Sequence, residues 1–183
     1  MKATAYIVGS GPHLDSGLKK SIEATGLAAV EPYDGLKSIE MRMDDMPVSF
    51  VLFEHSRDTE AVRKAVRQLR GCKRRHVRFM PLIYLCHNPS RDLIQDCLML
   101  GFDDVITLPR KAEGIAARLR YQLERPITYY ETPHYFGPDR RGNTRGPQSD
   151  DLSQGADYAH NRFEFVRELT TGVSIIAHRA IAA

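Results

Sequence analysis

The sequence predicts an α/β protein whose first two thirds, residues 3–125, form five strand–helix units. Short apolar runs that are typical of buried strands alternate with segments in which apolar residues recur every three or four positions. Apolar residues at that second spacing share one face of a helix. Five units of this size predict a doubly wound parallel sheet with helices on both faces.

The strands are predicted from runs of apolar, β-branched and aromatic residues, because such residues suit a buried sheet. These runs cover residues 6–8, 27–30, 48–53, 80–86 and 105–107. The third run has the composition of a central strand. Pro81 lies near the start of the fourth run, where a missing amide is tolerated.

A helix is predicted after each strand from the spacing of apolar residues. The faces are marked by Leu14, Leu18 and Ile22; Val62, Val66 and Leu69; Leu93, Ile94, Cys97 and Leu98; and Ile115, Leu119 and Leu123. A shorter helix is expected over residues 35–43. The third helix should begin near Asp58 or Thr59. Ser90 is suited to cap the helix that follows it, and Pro126 should end the last helix.

The rest of the chain has a different composition. Residues 127–157 contain three prolines, four glycines and few aliphatic side chains, which indicates an extended or weakly ordered linker. Apolar residues return in the C-terminal segment 158–183, and their spacing favours a helix. A hairpin that turns at residues 170–172 is the alternative. The predicted domains are therefore 1–126, the linker 127–157 and the segment 158–183.

Composition limits the class of protein. The 183 residues carry a net charge of +3, and their hydrophobic fraction of 42% is normal for a globular protein. No apolar run approaches the length of a bilayer span, and residues 1–6 lead into a strand instead of a signal sequence. We therefore expect a cytoplasmic protein without membrane contact. The three cysteines lack metal-binding spacing and are expected to be thiols.

Three segments together resemble the receiver domain of bacterial response regulators. Residues 100–109 read Leu-Gly-Phe-Asp-Asp-Val-Ile-Thr-Leu-Pro and are similar to the last loop and strand of that family. Residues 6–12, Tyr-Ile-Val-Gly-Ser-Gly-Pro, are similar to its first strand and loop. Residues 47–54, Pro-Val-Ser-Phe-Val-Leu-Phe-Glu, are similar to its third strand. The resemblance implies a flavodoxin-like sheet with the strand order 2-1-3-4-5, followed here by a C-terminal extension.

The resemblance also implies a phosphorylation pocket at the carboxyl ends of the strands. At five positions of that pocket this sequence has a different residue from the family. Gly9 and Ser10 stand where the family has a carboxylate pair for Mg²⁺, an ion that needs oxygen ligands. Glu54 replaces the phosphoryl-accepting aspartate, and Cys86 replaces a hydroxyl. Leu108 replaces the lysine that balances charge on the transferred group.

The position of the family's rotating aromatic residue is occupied by Val105, which is stiff because it is β-branched. The chain is therefore interpreted as a degenerate receiver, or pseudo-receiver, in which no residue is catalytic, no metal is bound and no cofactor is needed. Glu54 is read either as a permanent mimic of a phosphorylated aspartate or as an ordinary polar residue at the end of a strand.

Two groups of residues are candidates for interaction. A stretch from 61 to 78 without acidic residues should form one basic helical face, which is marked by Arg63, Arg67, Arg70 and Arg74. The output face that the resemblance implies includes Arg91, Asp92, Gln95, Arg110 and Lys111. A further cluster, Tyr135, Phe136, Arg140 and Arg141, could anchor the tail in a groove of its own domain or of a partner.

The leading functional interpretation is a phosphorylation-independent protein-interaction module in bacterial two-component or phosphorelay signalling. It is not expected to be an enzyme, its partner is expected to be a signalling protein, and a homodimer is one form of such binding. The alternatives are a response regulator that accepts phosphate on Glu54 and a nucleic-acid-binding regulator that uses the basic third helix. Nucleic acid is the less favoured partner, because no helix-turn-helix pattern is recognisable.

Overall fold

Strands and helices alternate through the first 120 residues of the chain, as the sequence predicts. The structure is a computed structural model that describes residues 1–9, 16–42, 48–140 and 159–182. The strands of this part are β1 (Thr4–Val8), β2 (Ala29–Pro32), β3 (Ser49–Glu54), β4 (Leu82–His87) and β5 (Asp104–Leu108). The helices are α1 (Ser16–Glu23), α2 (Leu36–Arg42), α3 (Thr59–Arg70), the single turn α4 (Arg75–Arg78), α5 (Arg91–Met99) and α6 (Ala112–Arg120).

The five strands form one parallel sheet in the order β2-β1-β3-β4-β5. This confirms the predicted fold class and strand order. Because alternate side chains of each strand point to opposite faces, the sheet buries two apolar layers. One contains Phe53, Leu69 and Phe102, and the other contains Phe50 and Ile106.

Side chains cap the helices where the sequence predicts it. The Asp58 carboxylate accepts a hydrogen bond from the Ala61 amide at 2.9 Å and begins α3. The Ser90 hydroxyl accepts one from the Leu93 amide at 3.1 Å and begins α5. Each cap satisfies an amide that has no partner inside the first helical turn. The helix α6 ends earlier than expected, at Arg120.

The C-terminal part forms a second sheet, and two sequence expectations were wrong here. Its strands are β6 (Ile127–Glu131), β7 (Phe136–Pro138), β8 (His160–Glu168) and β9 (Gly172–Ile181), in the antiparallel order β7-β6-β8-β9. The predicted linker 127–157 therefore contains two strands. In the segment predicted as 158–183, residues 160–181 form the hairpin that was the less favoured alternative, not the helix.

The hairpin forms in place of the predicted helix because one face of the hairpin packs in an aromatic cluster. Phe163 and Phe165 alternate along β8 and both contact Phe79, at ring-centroid distances of 5.4 and 4.7 Å. Phe79 also contacts Tyr129 and Phe136, at 5.8 and 5.2 Å. Since Phe79 belongs to the loop between α4 and β4, this cluster fixes the second sheet to the α/β domain. Aromatic contacts of this kind stabilise beyond the area they bury.

The described residues contain no helix that is long and apolar enough to span a bilayer.

Candidate functional site

The carboxyl ends of β1, β3, β4 and β5 meet at one edge of the parallel sheet, which we call the rim. Glu54 and Leu108 are the last residues of their strands, Cys86 is the penultimate residue of β4, and Gly9 follows β1. The register pairs Glu54 with Leu85 and Cys86 with Thr107. The rim therefore gathers four of the five predicted pocket residues, while Ser10 lies outside the described residues.

The rim is chemically neutral at the two positions where the resemblance requires a polar or cationic group. Cys86 is 1% exposed, and burial raises the pKa of its thiol, so that the thiol stays protonated. Leu108 is also buried, and a cis peptide bond joins it to Pro109. Glu54 is half-buried and Gly9 is exposed. An aliphatic side chain and an un-ionised thiol cannot balance the charge of a phosphoryl group.

The described rim residues offer one carboxylate as a possible ligand for a magnesium ion. Glu54 is the single carboxylate among Gly9, Glu54, Cys86 and Leu108, and no group of three or more potential metal ligands was found in the parts of the chain with described coordinates. A Mg²⁺ site usually combines one or two carboxylates with substrate phosphate oxygens and water. Glu54 supplies one such carboxylate, and Gly9, Cys86 and Leu108 supply no second one.

Val105 lies on β5 directly beside Tyr84 of β4. Val105 is half-buried, and the Tyr84 ring is fixed on both sides: its hydroxyl lies 3.0 Å from His55 Nδ1, and its ring packs on Phe102 at 5.4 Å. This position therefore holds a small, stiff side chain next to a ring that already has contacts.

A buried charged cluster that the sequence reasoning missed lies at the opposite end of β5. Asp103 immediately precedes β5, and its side chain is 1% exposed. Its Oδ1 accepts hydrogen bonds from the Tyr129 hydroxyl at 2.5 Å and from Arg167 Nη2 at 2.8 Å. Its Oδ2 accepts from Arg70 Nη2 and from the Leu82 amide, both at 2.8 Å. Four donors thus satisfy one buried carboxylate.

The two arginines of this cluster are themselves buried and use backbone carbonyls as further acceptors. Arg70 donates to the carbonyl oxygens of Met80 at 2.8 Å and of Gly101 at 2.9 Å. Arg167 is 0% exposed and donates to the carbonyl of Phe79 at 2.7 Å and to the Tyr129 hydroxyl at 2.6 Å. Because Arg167 lies on β8 and Asp103 on the α/β domain, the ion pair holds the two sheets together.

The electrostatics of the cluster keep its carboxylate charged. Burial alone would raise the pKa of Asp103, but the adjacent Arg167 and Arg70 outweigh that effect and lower the pKa to about 2. Burial raises the pKa of Tyr129, so its hydroxyl remains a hydrogen-bond donor. A carboxylate held by two cations in this way is a structural group, since it is ionised at every pH at which the protein functions.

This cluster corrects the prediction for the basic third helix. Arg70 is 5% exposed and points into the protein, and Arg74 lies beyond the end of α3, where Gly71 ends the helix. Arg63 forms an ion pair with Glu60 at 3.6 Å, and Arg74 with Glu40 at 3.6 Å. The four arginines therefore do not form one solvated helical face. Cations that do remain exposed in this region are Lys64, Arg67, Lys73, Arg74 and Arg75.

The residues of the expected output face are at the surface. Arg91 and Asp92 begin α5, Gln95 lies one turn further, and Arg110 and Lys111 precede α6; all five are exposed. Two apolar residues of α5 are exposed beside them, Ile94 at 36% and Met99 at 54%. No contact of this face with another molecule is described, and its use remains a prediction.

The tail cluster lies against the α/β domain of its own chain. Phe136 packs beneath the Arg78 guanidinium at 4.1 Å, and Arg140 donates to the carbonyl oxygens of Phe102 and Asp103. The Tyr135 hydroxyl donates to the Pro138 carbonyl at 2.9 Å. Arg141 lies outside the described residues. The described residues of this cluster therefore contact their own domain, which was one of the two possibilities considered.

Two glycines allow this close approach. Gly101 has a φ of +88°, and a Cβ added there would lie 2.4 Å from the Phe136 carbonyl oxygen. A Cβ added to Gly137 would lie 2.7 Å from the Gly101 Cα. The backbones therefore touch at a distance that no side chain permits. Gly101 belongs to the segment that resembles a receiver loop, whereas Gly137 belongs to the tail cluster.

The fold and the rim define a receiver-like α/β domain that carries an added antiparallel sheet. No protein-family model matches the chain, and no curated protein matches it by sequence. Among solved structures, it is similar to the receiver domain of a sensor histidine kinase from Pseudomonas aeruginosa, which has a magnesium ion in its active-site cleft. The TM-score is 0.51 at 17% identity, over 66% of this chain and 97% of that one. It is also similar to TadZ, a CheY-like protein of the same organism, with a TM-score of 0.51 at 14% identity, over 66% of this chain and 98% of that one.

Proposed function

We propose that the chain is a phosphorylation-independent interaction module of bacterial two-component or phosphorelay signalling. Its α/β domain has the fold of a receiver, and the proposal is that signals reach it by surface contact instead of group transfer. On this proposal the protein is not an enzyme and its partner is another signalling protein. The observation that carries the proposal is the composition of the rim: Glu54 at the end of β3 is the single carboxylate of its described residues, and the next two strands end in the protonated Cys86 thiol and in Leu108.

The physical argument rests on positioning and charge. Phosphoryl transfer needs an aligned nucleophile and cations that neutralise the transferring group. A glutamate carries one methylene more than an aspartate, which displaces its oxygens by roughly an ångström. The described rim offers neither a second carboxylate for a metal nor a lysine for the phosphoryl oxygens. Each departure weakens the same reaction, so their effects on the barrier accumulate.

Contact would be made through the exposed residues of α5 and of the loop that precedes α6. Arg91, Arg110 and Lys111 provide positive charge there, and Ile94 and Met99 provide apolar surface. A surface that combines exposed apolar side chains with basic ones suits an acidic, partly apolar partner. Glu54 lies at the end of β3 and would supply a constant negative charge in the role that the phosphorylated aspartate has in the family.

Intact-mass measurement after incubation with a small acyl phosphate and Mg²⁺ tests the proposal. We expect no added phosphoryl group on the wild-type chain. The matched control is the doubly substituted chain Glu54→Asp/Leu108→Lys, which returns two family residues to the rim and shows whether the remaining positions suffice. A stable phosphoryl group on wild type that Glu54→Gln removes would refute the proposal and establish the phosphate-accepting alternative.

A further inference from the structure

The last strand of the chain leaves a backbone edge open beyond Val173, whose amide donates to His76 Nδ1 at 3.2 Å. β9 contains ten residues, pairs with β8 on one side, and pairs with no other strand of the described residues on its second side. The opposite edge of the same sheet is β7, which has three residues. An open edge presents unpaired amide and carbonyl groups in a row, ready to pair with another strand.

The edge has few of the sequence features, such as charged residues and prolines, that usually prevent such pairing. Gly172–Ile181 contains no proline, lysine, aspartate or glutamate. Ile176 and Ile181 are 55% and 40% exposed. The ladder with β8 is irregular next to Phe165, and beyond that point the five residues from 177 to 181 run in regular register. Residues 177–181 of β9 are therefore regularly paired with β8, and Arg179 is the one residue among them that is an arginine, lysine, aspartate or glutamate.

Arg179 also lacks an acidic partner among the described residues. It lies directly opposite Arg162 of β8, and like charges in that position destabilise a strand pair. Arg162 itself pairs with Glu164 at 3.8 Å on the same face. Glu164 lies opposite Ala177 on β9. Because the Ala177 side chain is only a methyl group, it leaves room between Glu164 and the open edge of β9.

We propose that β9 pairs with β9 of a second copy of this chain, antiparallel and across a twofold axis at His178. This register sets Arg179 opposite the partner's Ala177, with the partner's Glu164 one strand beyond. Two strand spacings separate the Cα atoms of the two charged residues by about 10 Å, a gap that an arginine and a glutamate side chain span together. The pairing joins two four-stranded sheets into one of eight strands. It is independent of the function proposed for the rim.

The occupant is a second copy because the edge complements itself. In an antiparallel pair across a twofold axis, each copy supplies the same unpaired groups, and the interface closes without leaving a further open edge on β9. The charges agree with this arrangement, because each unpartnered Arg179 meets the other copy's Glu164. His178 is held in place for the central position, since its ring stacks on Phe163 at 4.4 Å and bonds to Asn161 at 3.2 Å.

Sedimentation of the full chain over a range of concentrations, with charge-reversed variants, tests the pairing. We expect a concentration-dependent dimer for wild type. Glu164→Arg and Arg179→Glu should each weaken it by about tenfold, because each changes two symmetry-related ion pairs. The doubly reversed chain, Glu164→Arg/Arg179→Glu, should regain most of the affinity. Arg67→Glu is the control, since it makes the same charge change at an exposed position on α3.

A disulfide cross-link gives a second readout that does not depend on charge. Opposed residues of an antiparallel pair have Cβ atoms about 5 Å apart, which suits a disulfide between copies. His178→Cys should therefore form a cross-linked dimer faster than Ser174→Cys, which is exposed on the same strand but far from the axis. Circular dichroism confirms that each variant is folded. A monomer at all concentrations, a dimer that ignores both charge reversals, or equal cross-linking at the two positions would overturn the proposal.

Discussion

Replacing Asp103 with asparagine removes the charge that joins the two sheets and keeps the size of the side chain. The carboxylate accepts four hydrogen bonds, from Tyr129, Arg167, Arg70 and the Leu82 amide. An asparagine has one acceptor oxygen in place of two. Its NH2 group would replace the second oxygen and would face two hydrogen-bond donors, to which it cannot bond. Asp103→Asn therefore leaves two buried arginines, Arg70 and Arg167, without their shared counter-ion.

The expected loss of stability follows from that burial. Breaking a buried ion pair by removing one partner destabilises a protein by about 3–5 kcal/mol, because the remaining charge has no compensation. Arg70 and Arg167 are 5% and 0% exposed, so neither can recover hydration without a rearrangement of the sheet contact. We expect the free energy of unfolding to fall by about 4 kcal/mol.

The neighbouring residue provides the control. Asp104 pairs with Arg118, whose side chain is 44% exposed and can turn to water when its partner is removed. Asp104→Asn should therefore change the free energy of unfolding by at most about 1 kcal/mol. Urea unfolding followed by circular dichroism measures both variants. Similar losses for the two substitutions would refute the view that Asp103 is a buried anchor.

Three further predictions follow from the same contacts. The pKa of Asp103 is lowered from 3.8 to about 2 in the folded protein, so the stability that comes from its charge is present above about pH 4 and is lost as the pH falls to about 2. Over that range, the free energy of unfolding should fall by about 2 kcal/mol more for wild type than for Asp103→Asn, as acid unfolding measures. Gly101→Ala should lower the melting temperature more than Gly26→Ala, because both have positive φ but the added methyl meets the Phe136 carbonyl only at Gly101; equal shifts would contradict this. Phe79→Ala should destabilise by about 3–5 kcal/mol in urea, and a loss below 1 kcal/mol would show that the aromatic cluster does not hold the second sheet.

The sequence predicted the parallel sheet because its signals are local. Runs such as residues 48–53 and the helical spacing of Val62, Val66 and Leu69 report which side chains face the core, and five repetitions leave few possible topologies. The C-terminal hairpin was the less favoured alternative for a physical reason. Alternating Phe163 and Phe165 also fit a helical spacing when Val166 and Leu169 are counted, and the distinction depended on Phe79, far away in the chain.

The charged anchor was missed because arginines are normally expected at the surface. Arg70 lies 33 residues from Asp103, and Arg167 lies 64 residues from it, so nothing local marks them as partners. One signal was available: Phe163, Phe165 and Arg167 alternate along a single strand, so the arginine shares the face of two aromatic residues. At the rim, by contrast, the positions were predicted from the family pattern, and the structure brings Gly9, Glu54, Cys86 and Leu108 to one edge of the sheet.

The central claim is that the rim neither binds a divalent ion nor accepts a phosphoryl group. A titration of the isotopically labelled chain with Mg²⁺ and beryllofluoride, followed by amide NMR, measures this at individual residues. We predict no saturable change at the amides of Gly9, Glu54, Cys86 and Leu108. Saturable shifts confined to those residues would contradict the account, because they would show a working acceptor site where the side chains described here provide only one carboxylate.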